Sequence, residues 1–200
     1  MPLTDAVLLS KAYHLAAQWH TTQKRKGGAA EPYINHLVEV AALVSAATGG
    51  RDHNLSAAAV LHDTIEDAGI SYETLVKEFN HDVADLVREV TDDKGLDKNV
   101  RKELQIRKTP AKSMRAKIIT LADKTSNLRS ILNSPPDWPL ERKQEYLAWA
   151  RAVVDGTRGA NTWLEGVFGA AAGELELALD REQAKAADET TSSASQKMIL

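Results

Sequence analysis

The chain has no cysteine in 200 residues. Disulfides, thiolate metal sites and cysteine nucleophiles are thereby excluded, and any bound metal must draw on imidazole and carboxylate ligands. Aromatic residues are scarce, at 5%, and none alternate with the cations as base-stacking platforms, so nucleic acid is not an expected partner. No apolar run reaches the roughly 18 residues a membrane span needs. The N-terminal stretch MPLTDAVLLSKAYHLAAQWH has no basic segment ahead of its short apolar part, so no export signal is read there. A cytoplasmic setting is expected. A GxxxxGK[ST] phosphate loop, internal repeats and heptad runs are absent too.

With 43% apolar and 26% charged residues, the composition is that of one ordinary globular domain with a real core. Helical periodicity recurs along it. Thr4 precedes a stripe of Leu8, Ala12, Leu15 and Trp19, and a second segment from about Asn35 to Thr48 stops at Gly49-Gly50. Ser71 opens SYETLVKEFN, followed by HDVADLVREV, and Pro110 separates a basic helix from a long one ending near Leu132. Pro139 starts a helix through about Val154 and Asn161 starts another. No strand is convincing. The predicted class is all-α: a single-domain helical bundle over residues 1–165, a helical extension over 166–187 and a disordered tail over 188–200.

LHDTIED, residues 61–67, puts one histidine and three carboxylates into an otherwise apolar segment. Read as one helix capped by Asn54 or Ser56 and ended by a left-handed Gly69, it places His62 and Glu66 on one line and Asp63 and Asp67 on the next. Glu66 and Asp67 then fall in a last turn, where the helix dipole disfavours negative charge and a bound cation would reverse the penalty. Two other helices mix such groups with apolar spacing. His36 lies at the start of one, and Asp123 and Asn127 sit four apart on another, off the stripe of Ile118, Leu121, Leu128 and Leu132. An isolated His, a His-Asp pair and a distant Asp, converging from separate helices, would make two imidazoles and two carboxylates around a divalent metal.

Net charge is −3, but between Lys98 and Lys117 eight cations face the single acid Glu103, a local +7 that leaves −10 for the rest. A second cluster, Lys24-Arg25-Lys26, precedes Gly27-Gly28, whose flexibility would let the cations close over a polyphosphate.

The ordered segments RKGGAAEPYINH, LHDTIED, VTDDK, LADKTSNLR and ERKQEYLAWARAVV resemble the small alarmone hydrolases of the HD superfamily of metal-dependent phosphohydrolases. They also resemble the hydrolase half of the long alarmone synthetase/hydrolases. The resemblance implies His36, His62, Asp63 and Asp123 as metal ligands, with Mn²⁺ the usual ion, and Glu66 and Asp67 as the pair that handles the attacking water. It implies that Arg25, Lys26, Lys98, Asn127, Arg142 and Tyr146 line the nucleotide site. The implied reaction is removal of the 3′-pyrophosphate from guanosine tetra- or pentaphosphate, leaving GDP or GTP. With no synthetase segment after residue 165, a purely degradative role is expected. Two other readings are carried: an HD phosphohydrolase that removes a 2′- or 3′-phosphate from another nucleotide such as NADPH, which shares every catalytic residue, and, from a different class, a nucleotide sensor without turnover. The sensor reading predicts loss of a ligand or of the Glu-Asp pair, and all are present.

Overall fold

The computed structural model describes residues 4–197, with side chains to residue 187. Among these residues the chain is all-α, its only extended pairings being isolated bridges of Lys24 with Pro32 and Gly27 with Pro136. Helix α1 (Asp5–Trp19) buries Leu8, Ala12 and Ala16 against α3 (His53–Val60), and α2 (Ile34–Ala47) packs on α3's other side through Leu37, Val40, Ala41 and Val44. From Leu55 to Val60 every residue of α3 is buried, which makes it the central strut. Small residues at Ala57, Ala58 and Ala59 let its neighbours approach closely.

The segment expected to be one helix through Gly69 is instead two. Asp52, not Asn54 or Ser56, caps α3 by accepting the Leu55 N–H at 2.9 Å. Asn54 donates to Asp82, and Ser56 bonds Ser45. At Leu61 the amide is shared between the Ala57 and Ala58 carbonyls, and the Thr64 amide turns back to the Leu61 carbonyl at 2.9 Å. These i→i+3 bonds tighten the chain into a turn over residues 61–63 before α4 (Thr64–Ala68) begins, with Gly69 at φ 68° ending it as expected. Adjacent residues of a straight helix point 100° apart; the turn instead lets His62 and Asp63 face one chamber. Glu66 and Asp67 consequently lie in a five-residue helix of little more than one turn, too short to build the C-terminal dipole that the longer helix read from the sequence would carry.

Ser71 and Asn80 cap α5 (Tyr72–Glu78) and α6 (His81–Val90) through side-chain bonds to the Thr74 and Val83 amides. The basic helix α7 (Lys98–Lys108) buries no residue fully; Pro110 lies in the short 3-10 turn that ends it, and Ser113 caps α8 (Met114–Asn133). The basic run does not form one patch. Arg115 turns away from the rest of the run to bridge Asp52 and Asp82, with four contacts of 2.7–2.9 Å that tie α8 to the start of α3 and to α6.

Pro139 precedes α9 (Leu140–Asp155), and Asn161 caps α10 (Thr162–Lys197), whose backbone is helical over 188–197 of the tail read from the sequence, the last three tail positions lying outside the described residues. Leu164, Phe168, Ala171, Ala172, Leu175 and Leu179 of α10 belong to the main hydrophobic core. Full burial of a Leu- or Phe-sized side chain contributes roughly 1.5–3 kcal/mol, so this part of α10 adds to the stability of the core. Lys143–Glu182 and Arg151–Glu176 ion pairs align α9 with α10. No helix among the described residues is long and apolar enough to cross a membrane.

Candidate active site

Three parts of the fold meet at one buried chamber: the third residue of α2, the turn between α3 and α4, and the middle of α8. They carry His36, His62 with Asp63, and Asp123. His62 Nε2 lies 3.1 Å from Asp63 Oδ2 and 3.8 Å from Asp123 Oδ1, and His36 Nε2 lies 3.7 and 3.3 Å from the same two oxygens. The four residues expected as ligands are thus brought together. The rings of His36 and His62 meet edge to face, 5.2 Å between centroids.

The donor set fits a divalent cation. His62 Nδ1 is 2.8 Å from the Ala59 carbonyl, which can only accept, so Nδ1 carries a hydrogen, and Nε2, facing the chamber, is the nitrogen a cation would take once its own proton is released. That buried Nε2 has no hydrogen-bond partner; Asp63 Oδ2, though near, lies off the direction of a bond. His36, His62 and Asp123 offer ligand atoms within 4.8 Å of one another. Nitrogen and oxygen ligands together suit Mn²⁺, Fe²⁺ or Zn²⁺.

Burial and charge oppose each other across the cluster. Burial pulls the His62 imidazole down, yet Asp63 and Asp123 outweigh it and push it up to about 9. Burial wins at His36, which is lowered. Burial alone would raise Asp63, but His62 holds it well below the carboxylate range, and Lys124 does the same for Asp123. Lys124 is buried, donates to Asp123 Oδ2 at 2.8 Å and stands 4.5 Å over the Trp149 ring. Tyr33 donates to Asp63 Oδ2 at 2.6 Å. Asn127 donates to Asp123 Oδ1 at 2.6 Å and accepts from Arg25 at 3.1 Å, which links a residue expected to touch substrate to a residue expected to hold metal.

Glu66 and Asp67 border the same chamber, and each of their four oxygens has a donor. Glu66 receives Arg101 at 3.2 Å and the Asp92 amide at 3.2 Å. Asp67 receives Gln23 at 2.6 Å and Lys94 through a short ion pair. Burial, followed by repulsion from Asp63, pushes Glu66 up to about 7.

Two open cavities adjoin the chamber and share Lys26, Trp138 and Tyr146. One, about 260 Å³, is lined by Arg25, Lys26, Asn127 and Tyr146 with Gln23 and Trp138. The other, about 490 Å³, is lined by Lys26, Lys98, Arg142 and Tyr146, with Arg101, Lys102, Trp138 and Trp149 added. All six expected substrate residues therefore face one of the two. The loop bearing Arg25 and Lys26 is not the flexible flap expected from Gly27-Gly28. Its Gly28 amide bonds the Pro135 carbonyl, its Ala29 amide bonds Ser134 Oγ, and a Cβ on Gly27 would sit 2.3 Å from the Ser134 carbonyl. Glycine serves close backbone approach here, not motion.

Sequence reasoning missed Tyr33, Gln23, Lys94, Arg101, Lys124 and Trp138. Lys94 and Lys124 lie inside the motif segments VTDDK and LADKTSNLR, and Arg101 inside the basic run, so a signal existed. Gln23 and Trp138 carried none, because a single amide and a lone indole have no periodic pattern.

An all-helical bundle that gathers two imidazoles and two carboxylates beside a carboxylate pair and a cation-rimmed cleft defines a metal-dependent phosphohydrolase of HD type. The chain belongs to the HD domain family, which matches residues 12–150. It is 46% identical over 151 residues to the guanosine-3′,5′-bis(diphosphate) 3′-pyrophosphohydrolase MESH1 of Drosophila melanogaster, covering 75% of this chain and 84% of that one. It is 42% identical over 163 residues to the human protein of the same name, covering 81% and 91%. A solved structure, described as a metazoan ortholog of SpoT that hydrolyses ppGpp and plays a role in starvation responses, superposes with a TM-score of 0.80. That match has 41% identity and covers 86% of this chain and 95% of that one.

Proposed function

We propose that the protein hydrolyses guanosine tetra- and pentaphosphate at the 3′ position, releasing pyrophosphate and leaving GDP or GTP. The observation that carries this reading is the junction of the four-ligand chamber, the Glu66–Asp67 pair and the cationic cavities, in a chain alike to named 3′-pyrophosphohydrolases over most of both lengths. His36, His62, Asp63 and Asp123 hold the divalent ion, expected to be Mn²⁺, which when bound supplies Lewis acidity toward a phosphoryl oxygen and toward water.

The chain's own groups do the rest. Glu66 and Asp67 orient the water, take its proton as the new P–O bond forms, and return a proton to the ribose 3′ oxygen as the P–O3′ bond breaks. A carboxyl pushed up to about 7 suits both halves of that transfer near neutral pH. Arg25, Lys26, Lys98 and Arg142, joined by Arg101 and Lys102, neutralise the phosphate oxygens. Tyr146, with Trp138 beside it, presents aromatic faces to the nucleoside. The cytoplasm is the expected setting, where such nucleotides are met.

The deciding experiment incubates Mn²⁺-loaded protein with a nucleotide panel and measures pyrophosphate and orthophosphate separately. Pyrophosphate from the guanosine polyphosphates is the expected result. Orthophosphate from NADPH alone would favour the dinucleotide reading, and no turnover with any member would sink both.

A further inference from the structure

Behind His36, on the side away from Asp63 and Asp123, a polar chain runs from the ring to the surface. His36 Nδ1 is 2.8 Å from Ser126 Oγ, Ser126 Oγ donates to Glu39 Oε2 at 2.7 Å, and Arg129 Nη1 donates to Glu39 Oε1 at 3.1 Å. His36 and Glu39 lie on α2, Ser126 and Arg129 on α8. The first two members are buried and the last two are partly exposed. They line a separate cavity of about 150 Å³, distinct from those bordered by Trp138.

We infer that Glu39 and Ser126 are positioning residues that set the tautomer of His36 and so present its Nε2 as a metal ligand. Glu39, ion-paired to Arg129, is a carboxylate and can only accept. Ser126 has one hydroxyl hydrogen, and Glu39 takes it. Ser126 Oγ therefore meets His36 Nδ1 with a lone pair, and the contact is a hydrogen bond only if Nδ1 carries the hydrogen. A neutral ring protonated at Nδ1 has its free lone pair on Nε2, which points at Asp63 and Asp123. His62 holds its Nδ1 hydrogen through a backbone carbonyl; His36 depends on side chains, so its tautomer is open to substitution. Glu39 contacts neither the chamber nor the substrate cavities, and its place in the sequence, three residues after His36, carries no motif signal.

The inference rests on His36 being a metal ligand, and the test separates the two. Ring-nitrogen NMR of metal-free, ¹⁵N-histidine-labelled protein reads the tautomer directly, and competition with a chelator reads Mn²⁺ affinity without turnover. Wild type should show His36 protonated at Nδ1. In Glu39→Gln the amide NH₂ competes to donate to Ser126, reversing the chain, and in Ser126→Ala the acceptor is gone. Both variants should populate the Nε2-protonated tautomer and weaken Mn²⁺ binding about ten- to hundred-fold, with the metal-free melting temperature little changed in Glu39→Gln and activity restored by excess Mn²⁺. An Nε2-protonated His36 in wild type, or unchanged Mn²⁺ affinity in both variants, would overturn the inference. If His36→Ala binds Mn²⁺ like wild type, the ligand reading falls and takes with it the functional half of the inference, while the tautomer measurement still decides the order of the hydrogen bonds.

Discussion

Arg101 Nη1 sits 3.2 Å from Glu66 Oε1, so the carboxylate proposed to handle water is held from the basic helix that also edges the phosphate cavity. Both ends of this pair line the larger cavity. Glu66→Ala should lower kcat by roughly 10²-fold or more, the scale of general-base catalysis, while Mn²⁺ content stays that of wild type. Rapid-mix turnover and metal analysis on one preparation check this; loss of the metal would make Glu66 a ligand instead.

The same carboxyl predicts a pH effect on stability. Burial and Asp63 raise it from an ordinary 4.5 to about 7, so between these values the folded protein keeps a proton that the unfolded chain has released. Metal-free protein therefore loses stability as pH rises through this window, with the whole cost present above 7. Glu66→Gln removes the charge and should raise the melting temperature at pH 8 but not at pH 4.5. A gain of equal size at both would attribute it to packing.

Asp63→Asn keeps the side-chain shape and loses the charge. Bound Mn²⁺ and turnover should disappear together, with helicity by circular dichroism preserved. Stoichiometric Mn²⁺ with normal activity in this variant would remove Asp63 from the ligand set.

Reversing Lys26 and Lys98 to glutamate puts four units of charge change beside the larger cavity. The expected outcome is a fall in kcat/KM that shrinks as salt rises, because exposed charges are screened over about 10 Å at 0.1 M. Lys77→Glu with Arg181→Glu, on the exposed faces of α5 and α10, changes net charge equally and should leave kcat/KM near wild type. Equal losses in the two double variants would mean that only global charge matters.

Gly27→Ala tests the pinned loop. A methyl group 2.3 Å from the Ser134 carbonyl and 2.4 Å from its Oγ forces the loop off the α8–α9 connection, carrying Arg25 and Lys26 with it. KM should rise more than kcat falls, and the melting temperature should drop. Unchanged steady-state constants would show that the loop has slack the structure does not suggest.

Much of this was legible in the residues themselves. Helix content followed from apolar spacing and from caps such as Ser71, Asn161 and Gly69, which act within a few residues of themselves. The four residues proposed as metal ligands, His36, His62, Asp63 and Asp123, came from the order of the motif segments and their resemblance to the HD superfamily, while the absence of cysteine only limited any ligand set to imidazole and carboxylate. Local pattern failed where distant segments meet. LHDTIED reads as one helix by period alone, yet packing breaks it at residues 61–63 so that His62 and Asp63 can face Asp123 on α8. The basic run reads as one patch, yet Arg115 leaves it for Asp52 and Asp82 while Arg101 turns to Glu66. Gly27-Gly28 reads as a hinge, yet Ser134 and Pro135, more than a hundred residues away, hold it still. Spacing along a chain determines which residues share a face of one helix. Which cation meets which carboxylate, and which imidazole nitrogen turns its lone pair inward, depends on hydrogen bonds between helices, and those exist only once the helices have packed.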